Sequence, residues 1–140
     1  MIPKNPLIIA VDFDGTIVED AFPRIGKPLI FAFDTLKKMQ SEGHRLILCK
    51  YRTGRPLDDA VDFCKENGIE FYAVNRSYPG EVYNENISRK INADFFIDDR
   101  NIRGFIGWTK VHKKILNAEL EVPEEKNWLA SLFLKNNNLF

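Results

Sequence analysis

Residues 7–16 read LIIAVDFDGT, and this stretch decides the fold. An unbroken apolar run, typical of a buried parallel strand, ends in two acids, Asp12 and Asp14, one residue apart. Side chains two positions apart on a strand face the same way, so the two carboxylates converge where the strand ends. Parallel sheets bind ligands at this edge, and a carboxylate pair there needs a cation, a shared proton or a basic neighbour. The stretch therefore predicts a site of chemistry.

The length and composition of the chain predict one globular domain. Its 140 residues, 44% of them apolar, are expected to form a single unit over 1–140 with a core over about 5–120. Twenty basic and 20 acidic residues balance, which gives no signal for nucleic acid or a membrane surface. The two cysteines lack metal-ligand spacing, so we expect them to be reduced, as suits a cytoplasmic protein. We expect neither a signal peptide nor a membrane span.

Strand and helix patterns alternate along the chain, which predicts an α/β fold, a single Rossmann-like three-layer domain with a parallel sheet. The predicted strands are Leu7–Asp12, Arg45–Lys50, Glu70–Val74 and Ala93–Asp98. The predicted helices are Leu29–Ser41, Pro56–Asn67, Trp108–Leu120 and Glu124–Lys135, with a short helix or turn near Ile87–Lys90. Right-handed crossovers allow the first strand to be central, with the fourth strand beside it.

This topology would bring a second acidic pair, Asp98 and Asp99, to the edge where Asp12 and Asp14 lie. Three or four carboxylates in one crevice predict a Mg²⁺ site, because hard oxygen ligands suit a hard cation. The metal would neutralise an anionic substrate that the bare carboxylates repel. Asp12 could then attack phosphorus, while Asp14 protonates the leaving oxygen and activates the hydrolytic water. Gly15 permits the tight turn after the strand.

Two short stretches of the chain resemble sequence motifs of a known family. Residues 12–16, DFDGT, resemble the first motif of the haloacid dehalogenase superfamily, mostly phosphatases and other phosphotransferases, and residues 97–100, IDDR, resemble its fourth. The resemblance spans residues 7 to about 103 and implies the superfamily's fold. It implies Asp12 as the nucleophile and Asp14 as the acid/base. It also implies a metal held by Asp12, the backbone carbonyl of Asp14, and either Asp98 or Asp99, with Asp99 preferred.

The second motif departs from the family pattern. The resemblance places a Ser or Thr at the end of the second strand, where Lys50 stands here. Lysine binds phosphate as a point charge, so Lys50, with Tyr51 and Arg52 beside it, is predicted to contact phosphate. Thr53 is the alternative if the loop folds back. The backbone N–H groups of the turn after the first strand, at Gly15 and Thr16, are predicted phosphate ligands as well.

The resemblance also implies a basic third-motif residue before the fourth strand, which stabilises negative charge on the intermediate. Lys90 fits this position, with Arg89 as second choice. The two places where relatives insert a cap hold only residues 15–28 and 75–86, so we expect no substantial cap domain and an open site. Such a site suits a phosphate on a small molecule or on the end of a macromolecule.

Three function classes remain open at this point. The first is a Mg²⁺-dependent phosphohydrolase acting through an aspartyl-phosphate on an unidentified phosphomonoester. The second is a phosphate-binding or regulatory domain impaired at Lys50. The third is a phosphoacceptor module resembling receiver domains, which lack the DFDGT turn. A homo-oligomer is the further partner expectation, through a face formed by Trp128, Leu132 and Phe133.

Overall fold

The computed structural model describes residues 6–49, 51–82, 86 and 90–118. Its first strand, β1, is Ile8–Asp12, in which every residue after Ile8 is buried. Its neighbours are β2 (Arg45–Cys49), β3 (Ala73–Val74) and β4 (Phe95–Ile97). The four strands form one parallel sheet in the order β3-β2-β1-β4. The prediction of a central first strand flanked by the second and fourth is confirmed.

Two helices follow the first two strands, and a third follows β4. Helix α1 is Ala32–Ser41, α2 is Gly54–Glu66, and α3 covers residues 108–118 of the described chain. Helix α1 begins three residues later than the sequence predicts, because Phe31 has a left-handed backbone (φ 65°) that a helix cannot contain. Helix α2 starts at Gly54, two residues before the predicted Pro56; Thr53 is extended (φ −135°) and Gly54 itself has a left-handed backbone (φ +60°), so the regular right-handed turns start at Arg55.

The sheet separates two apolar clusters. Ile9 and Val11 of β1 belong to the larger one, whereas Ala10 belongs to a smaller one on the opposite face, as strand alternation requires. The larger cluster takes residues from all three helices, namely Ala32, Leu36, Met39, Ala60, Cys64, Trp108, Val111 and Ile115. The smaller one contains Ala10, Ile47, Cys49 and Ala73. Strands β1 and β4, which pack in this core, end at or directly before the two acidic pairs.

Several sequence predictions fall outside the described residues. The short element near Ile87–Lys90 falls largely on 87–89, and the helix at Glu124–Lys135 lies wholly beyond residue 118. The second helical layer of the predicted three-layer domain depends on these segments. The expected oligomer face at Trp128, Leu132 and Phe133 lies there too. In the part of the chain that is described, no helix is long and apolar enough to cross a membrane.

The connection from β1 to α1 is a small, tightly bonded flap. The N–H of Glu19 donates to the Lys27 carbonyl at 2.7 Å, and the N–H of Leu29 donates to the Ile17 carbonyl at 2.9 Å. The Trp108 indole, on α3, donates to the Thr16 carbonyl at 2.8 Å and fixes the turn from the other side. Within the described residues, the insertion after β1 therefore holds no cap domain.

Both cysteines are buried and neither is part of a disulfide, Cys49 lying in β2 and Cys64 in α2. Burial raises the pKa of the Cys64 thiol to about 12, so this side chain stays a neutral thiol at physiological pH. An uncharged, buried thiol is unreactive and packs as a small apolar group. The sequence prediction of reduced core cysteines agrees with this arrangement.

Candidate active site

The carboxyl edge of the sheet brings acids from two strands into one cavity. Val11 pairs with Ile97 in the parallel register of β1 and β4, so the chain leaves the two strands at adjacent points. Asp12 and Asp99 both line a cavity of about 430 Å³. The complete lining comprises Asp12, Asp14, Asp20, Phe22, Tyr51, Asp99 and Arg100. Sequence positions almost ninety residues apart thus share one crevice, as predicted.

The two acids of the second pair differ in their surroundings. One carboxylate oxygen of Asp98 accepts a hydrogen bond from the Arg100 backbone N–H at 3.2 Å, and the Asp98 carbonyl accepts one from the Asn101 side chain at 3.1 Å. Asp98 lines a separate cavity beneath α3. Asp99 faces the acidic cavity, and its Oδ1 is buried with no hydrogen-bond partner in the described structure. A buried anionic oxygen of this kind is costly without a cation, so Asp99 fits a metal ligand better than Asp98.

Gly15 allows the Asp99 carboxylate to lie against the turn after β1. Gly15 has a left-handed backbone (φ +81°), and a Cβ atom built there would collide with the Asp99 carboxylate. Two separate reasons therefore favour glycine at position 15. The left-handed backbone disfavours any residue with a Cβ atom, and the Asp99 carboxylate occupies the place where that atom would lie.

We predict that Gly15→Ala lowers the free energy of unfolding by about 2–3 kcal/mol, more than the ~1 kcal/mol expected from the left-handed backbone alone. Gly80→Ala is the matched control, because Gly80 has a similar φ of +78° and no atom of the described residues lies within 4 Å of where its Cβ would be. Urea denaturation of both variants checks the prediction. Equal destabilisation by the two substitutions would contradict the close packing of Asp99 on the turn.

The backbone N–H groups of the turn are used within it. The N–H of Gly15 donates to the Val18 carbonyl at 2.8 Å, and the N–H of Thr16 donates to the Phe13 carbonyl at 3.2 Å. The Thr16 side chain is fully buried, and its hydroxyl has no hydrogen-bond partner among the described residues. Phosphate binding by Gly15 and Thr16 stays a prediction, and in this structure it requires one of these N–H bonds to open.

Arg52 holds the carboxylate of Asp14 in a bidentate bridge. Its Nε donates to Asp14 Oδ2 at 2.8 Å, and its Nη2 donates to Asp14 Oδ1 at 2.7 Å. The remaining guanidinium protons reach backbone carbonyls, of Pro23 and Pro56 at 3.0 Å each and of Arg24 at 2.6 Å. All five donors of the guanidinium are therefore satisfied inside the protein.

This bridge lies inside the protein rather than on its surface. Arg52 is only 3% exposed, and its guanidinium lies 4.9 Å from the centroid of the Phe13 ring. Its hydrogen bonds to Asp14 raise the pKa of the guanidinium above its ordinary value, with burial acting in the opposite direction. Arg52 stays charged, and its donors are directed at Asp14 and the flap. The predicted phosphate contact of Arg52 would require this network to rearrange.

Two of the four predicted metal ligands, Asp12 and Asp99, fit a Mg²⁺ site better than all four acids together. In the described ranges, no group of three or more His, Cys, Asp and Glu side chains is arranged to hold a metal. The Asp14 side chain is turned to Arg52 and Asp98 is bonded to its own loop, whereas Asp12 and Asp99 line the acidic cavity from the ends of two adjacent strands. Mg²⁺ commonly takes only one or two protein carboxylates and completes its octahedron with water and phosphate. Asp12 and Asp99 fit that requirement.

The other predicted site residues are less closely grouped. Tyr51 lines the acidic cavity and is 67% exposed. Lys90 is exposed and is not among the residues that line this cavity. Lys50 lies outside the described residues, directly after Cys49, the register partner of Asp12.

Sequence reasoning missed two residues of the cavity and one contact. Asp20 and Phe22 line it from the flap, in a stretch where Pro23 and Gly26 indicate only an irregular connection. The bridge from Arg52 to Asp14 joins residues 38 positions apart and has no local signal. Arg100, by contrast, follows the second acidic pair directly, and its place near the site could be expected from that position.

Comparisons with known proteins agree with this geometry. The family model of haloacid dehalogenase-like hydrolases matches residues 9–133, most of the chain. The chain belongs to the haloacid dehalogenase-like hydrolases. A solved structure, of a conserved protein from Bacteroides thetaiotaomicron, is 50% identical with a TM-score of 0.76, and the match covers 81% of this chain and 92% of that one. A search of curated proteins finds no match. The fold is thus the small Rossmann-like α/β fold of this family, and the part of the chain that the structure describes contains no cap domain.

Proposed function

We propose that this haloacid dehalogenase-like hydrolase is a Mg²⁺-dependent phosphohydrolase that acts on a phosphomonoester through an aspartyl-phosphate. The observation that carries the proposal is the shared cavity of Asp12 and Asp99, in which a buried oxygen of Asp99 has no hydrogen-bond partner among the described residues. Asp12 and Asp99 would hold the ion, together with the backbone carbonyl of Asp14. When bound, Mg²⁺ would offset the charge of the substrate's phosphate.

The proposed reaction has two steps, each assigned to residues of this chain. The carboxylate of Asp12 attacks phosphorus, the bond from phosphorus to the leaving oxygen breaks, and an aspartyl-phosphate forms. Asp14 supplies a proton to the leaving oxygen and then removes one from the water that hydrolyses the intermediate. A carboxyl oxygen that carries a proton loses its negative charge and accepts hydrogen bonds more weakly, so one arm of the bridge from Arg52 to Asp14 weakens in each cycle.

Phosphate release from p-nitrophenyl phosphate tests the proposal with the full chain. We expect release with millimolar Mg²⁺ and its loss with EDTA, restored when Mg²⁺ is returned in excess. Unfolding in urea should be followed with and without Mg²⁺, because a ligand that binds only the folded state shifts the midpoint upward. Equal rates in Mg²⁺ and in EDTA would contradict the metal requirement.

A phosphate-binding domain without turnover is the second candidate. It is favoured by the bridge that engages both oxygens of Asp14, and by Lys50 in place of the usual Ser or Thr. Lys50→Thr separates the two candidates. If Lys50 is a working phosphate ligand, we expect the substitution to lower the rate of phosphate release, and if Lys50 impairs turnover, to raise it. Mg²⁺-dependent phosphate binding without release in either protein would favour the second candidate.

A further inference from the structure

Two aromatic side chains border the acidic cavity and are partly open to solvent. Phe22, from the flap, is 43% exposed, and Tyr51, directly beyond β2, is 67% exposed. Their rings contact each other edge to face, with centroids 5.0 Å apart and an interplanar angle of 79°. Both line the cavity that contains Asp12. Two adjoining exposed rings beside a reactive carboxylate form an apolar surface that a bound ligand would cover.

The position of Phe22 is fixed by the buried part of the site. The guanidinium of Arg52 lies 5.3 Å from the Phe22 ring centroid. The same guanidinium binds the carbonyls of the next two residues, Pro23 at 3.0 Å and Arg24 at 2.6 Å. A ring held in this way on one side requires little ordering when a ligand packs on the other. Phe22 is thus held in place, and Tyr51 packs edge to face against it; we call the surface formed by Phe22 and Tyr51 the aromatic platform.

The charge of the cavity restricts what the platform can bind. Among the described residues that line it are four carboxylates and one guanidinium, that of Arg100. Asp20 lies on the flap beside the platform, where its side chain accepts a hydrogen bond from the Phe22 N–H at 3.2 Å. Mg²⁺ would offset the charges near Asp12 and Asp99, but Asp20 would repel a second anionic group on the substrate. An uncharged group matches this rim best.

We propose that the aromatic platform binds the leaving group of the substrate, and that this group carries an uncharged aromatic or heteroaromatic ring. The inference rests on the proposed function, since it names the substrate class of the same site. A phosphate near Asp12 leaves the ring to pack on Phe22 and Tyr51. The ring is joined to the phosphate either directly, as in an aryl phosphate, or through a sugar, as in a nucleoside monophosphate.

Binding of two phosphonates to the full chain with Mg²⁺ tests the platform without turnover. We expect phenylphosphonate to bind about five- to tenfold more tightly than propylphosphonate, because an aromatic pair adds stabilisation beyond the area it buries. Phe22→Leu and Tyr51→Leu should each remove most of this preference while keeping an apolar side chain. Tyr78→Leu is the control, because Tyr78 is 50% exposed and is not among the residues that line this cavity. Equal affinities for the two phosphonates would overturn the proposal.

Kinetics with the same variants separate this inference from the proposed function. Each platform variant should lower the ratio of kcat/KM for phenyl phosphate to kcat/KM for glycerol phosphate, mainly by raising KM for phenyl phosphate, whereas Tyr78→Leu should leave this ratio unchanged. Adenosine 5′-monophosphate compared with ribose 5-phosphate shows whether the ring is reached across a sugar. Hydrolysis without any preference for a ring would overturn the platform and leave the proposed function standing. Tighter binding of ligands with a ring, together with no hydrolysis of any substrate, would overturn the proposed function and leave the aromatic platform standing.

Discussion

Asp12→Asn is expected to reduce phosphate release from p-nitrophenyl phosphate by about a thousandfold or more, since a nucleophile makes the bond that defines the chemical step. An amide nitrogen or oxygen at this position cannot form the proposed acyl-phosphate. Asp12 is 7% exposed at the end of the central strand, where its carboxylate opens into the acidic cavity. The measurement is kcat at saturating substrate and Mg²⁺.

The control for this variant is Asp62→Asn, which removes the same charge from an exposed position on α2. It should keep the wild-type rate. Both variants should be compared by urea denaturation, so that a loss of activity is not confused with a loss of fold. Full activity in Asp12→Asn would mean that another group attacks phosphorus.

Arg52→Met is expected to lower the free energy of unfolding by about 3–5 kcal/mol, the cost of breaking a buried ion pair by removing one partner. The substitution removes the guanidinium that balances the charge of Asp14. The Asp14 side chain is only 12% exposed, so water replaces that contact poorly. It also leaves three backbone carbonyls, of Pro23, Arg24 and Pro56, without their donor. The midpoint of urea denaturation measures the effect.

Arg55→Met provides the matched comparison, because Arg55 carries the same side chain at an exposed position of α2. Exposed substitutions of this kind usually change stability by less than about 0.5 kcal/mol. Arg52→Lys should fall between the two, since lysine keeps the charge but cannot form the two-pronged contact. Equal midpoints for Arg52→Met and Arg55→Met would show that the bridge contributes nothing to folding.

The local parts of the fold were predictable because each depends on a short pattern. The apolar run that ends at Asp12 predicts a buried strand, and that strand is the centre of the sheet. The two edge strands were harder. Glu70–Val74 and Ala93–Asp98 are predicted, but only Ala73–Val74 and Phe95–Ile97 are regular, although the Tyr72 N–H still donates to the Leu46 carbonyl at 2.7 Å. Edge strands pair on one side only, so their ends depend on a single neighbour.

The meeting of Asp12, Asp14 and Asp99 was predictable from topology, but Asp98, predicted to join them, lines a separate cavity, and the contacts within the site were not predictable. Right-handed crossovers restrict the strand order, and the order in turn brings Asp99 to the cavity of Asp12. The bridge between Arg52 and Asp14 depends instead on how the flap packs against the start of α2. No periodicity or motif describes that packing. It changes the expected role of Arg52, from a contact with substrate to a contact with Asp14.

The central claim is that Asp12 accepts the phosphoryl group, and trapping that intermediate tests it most directly. The full chain would be mixed with an aryl phosphate and Mg²⁺, quenched in acid and reduced with borohydride, which converts an aspartyl-phosphate to homoserine. Peptide mass spectrometry should then find homoserine at position 12 and aspartate at 14, 98 and 99. Homoserine at another position, or continued phosphate release with no residue converted, would contradict the account.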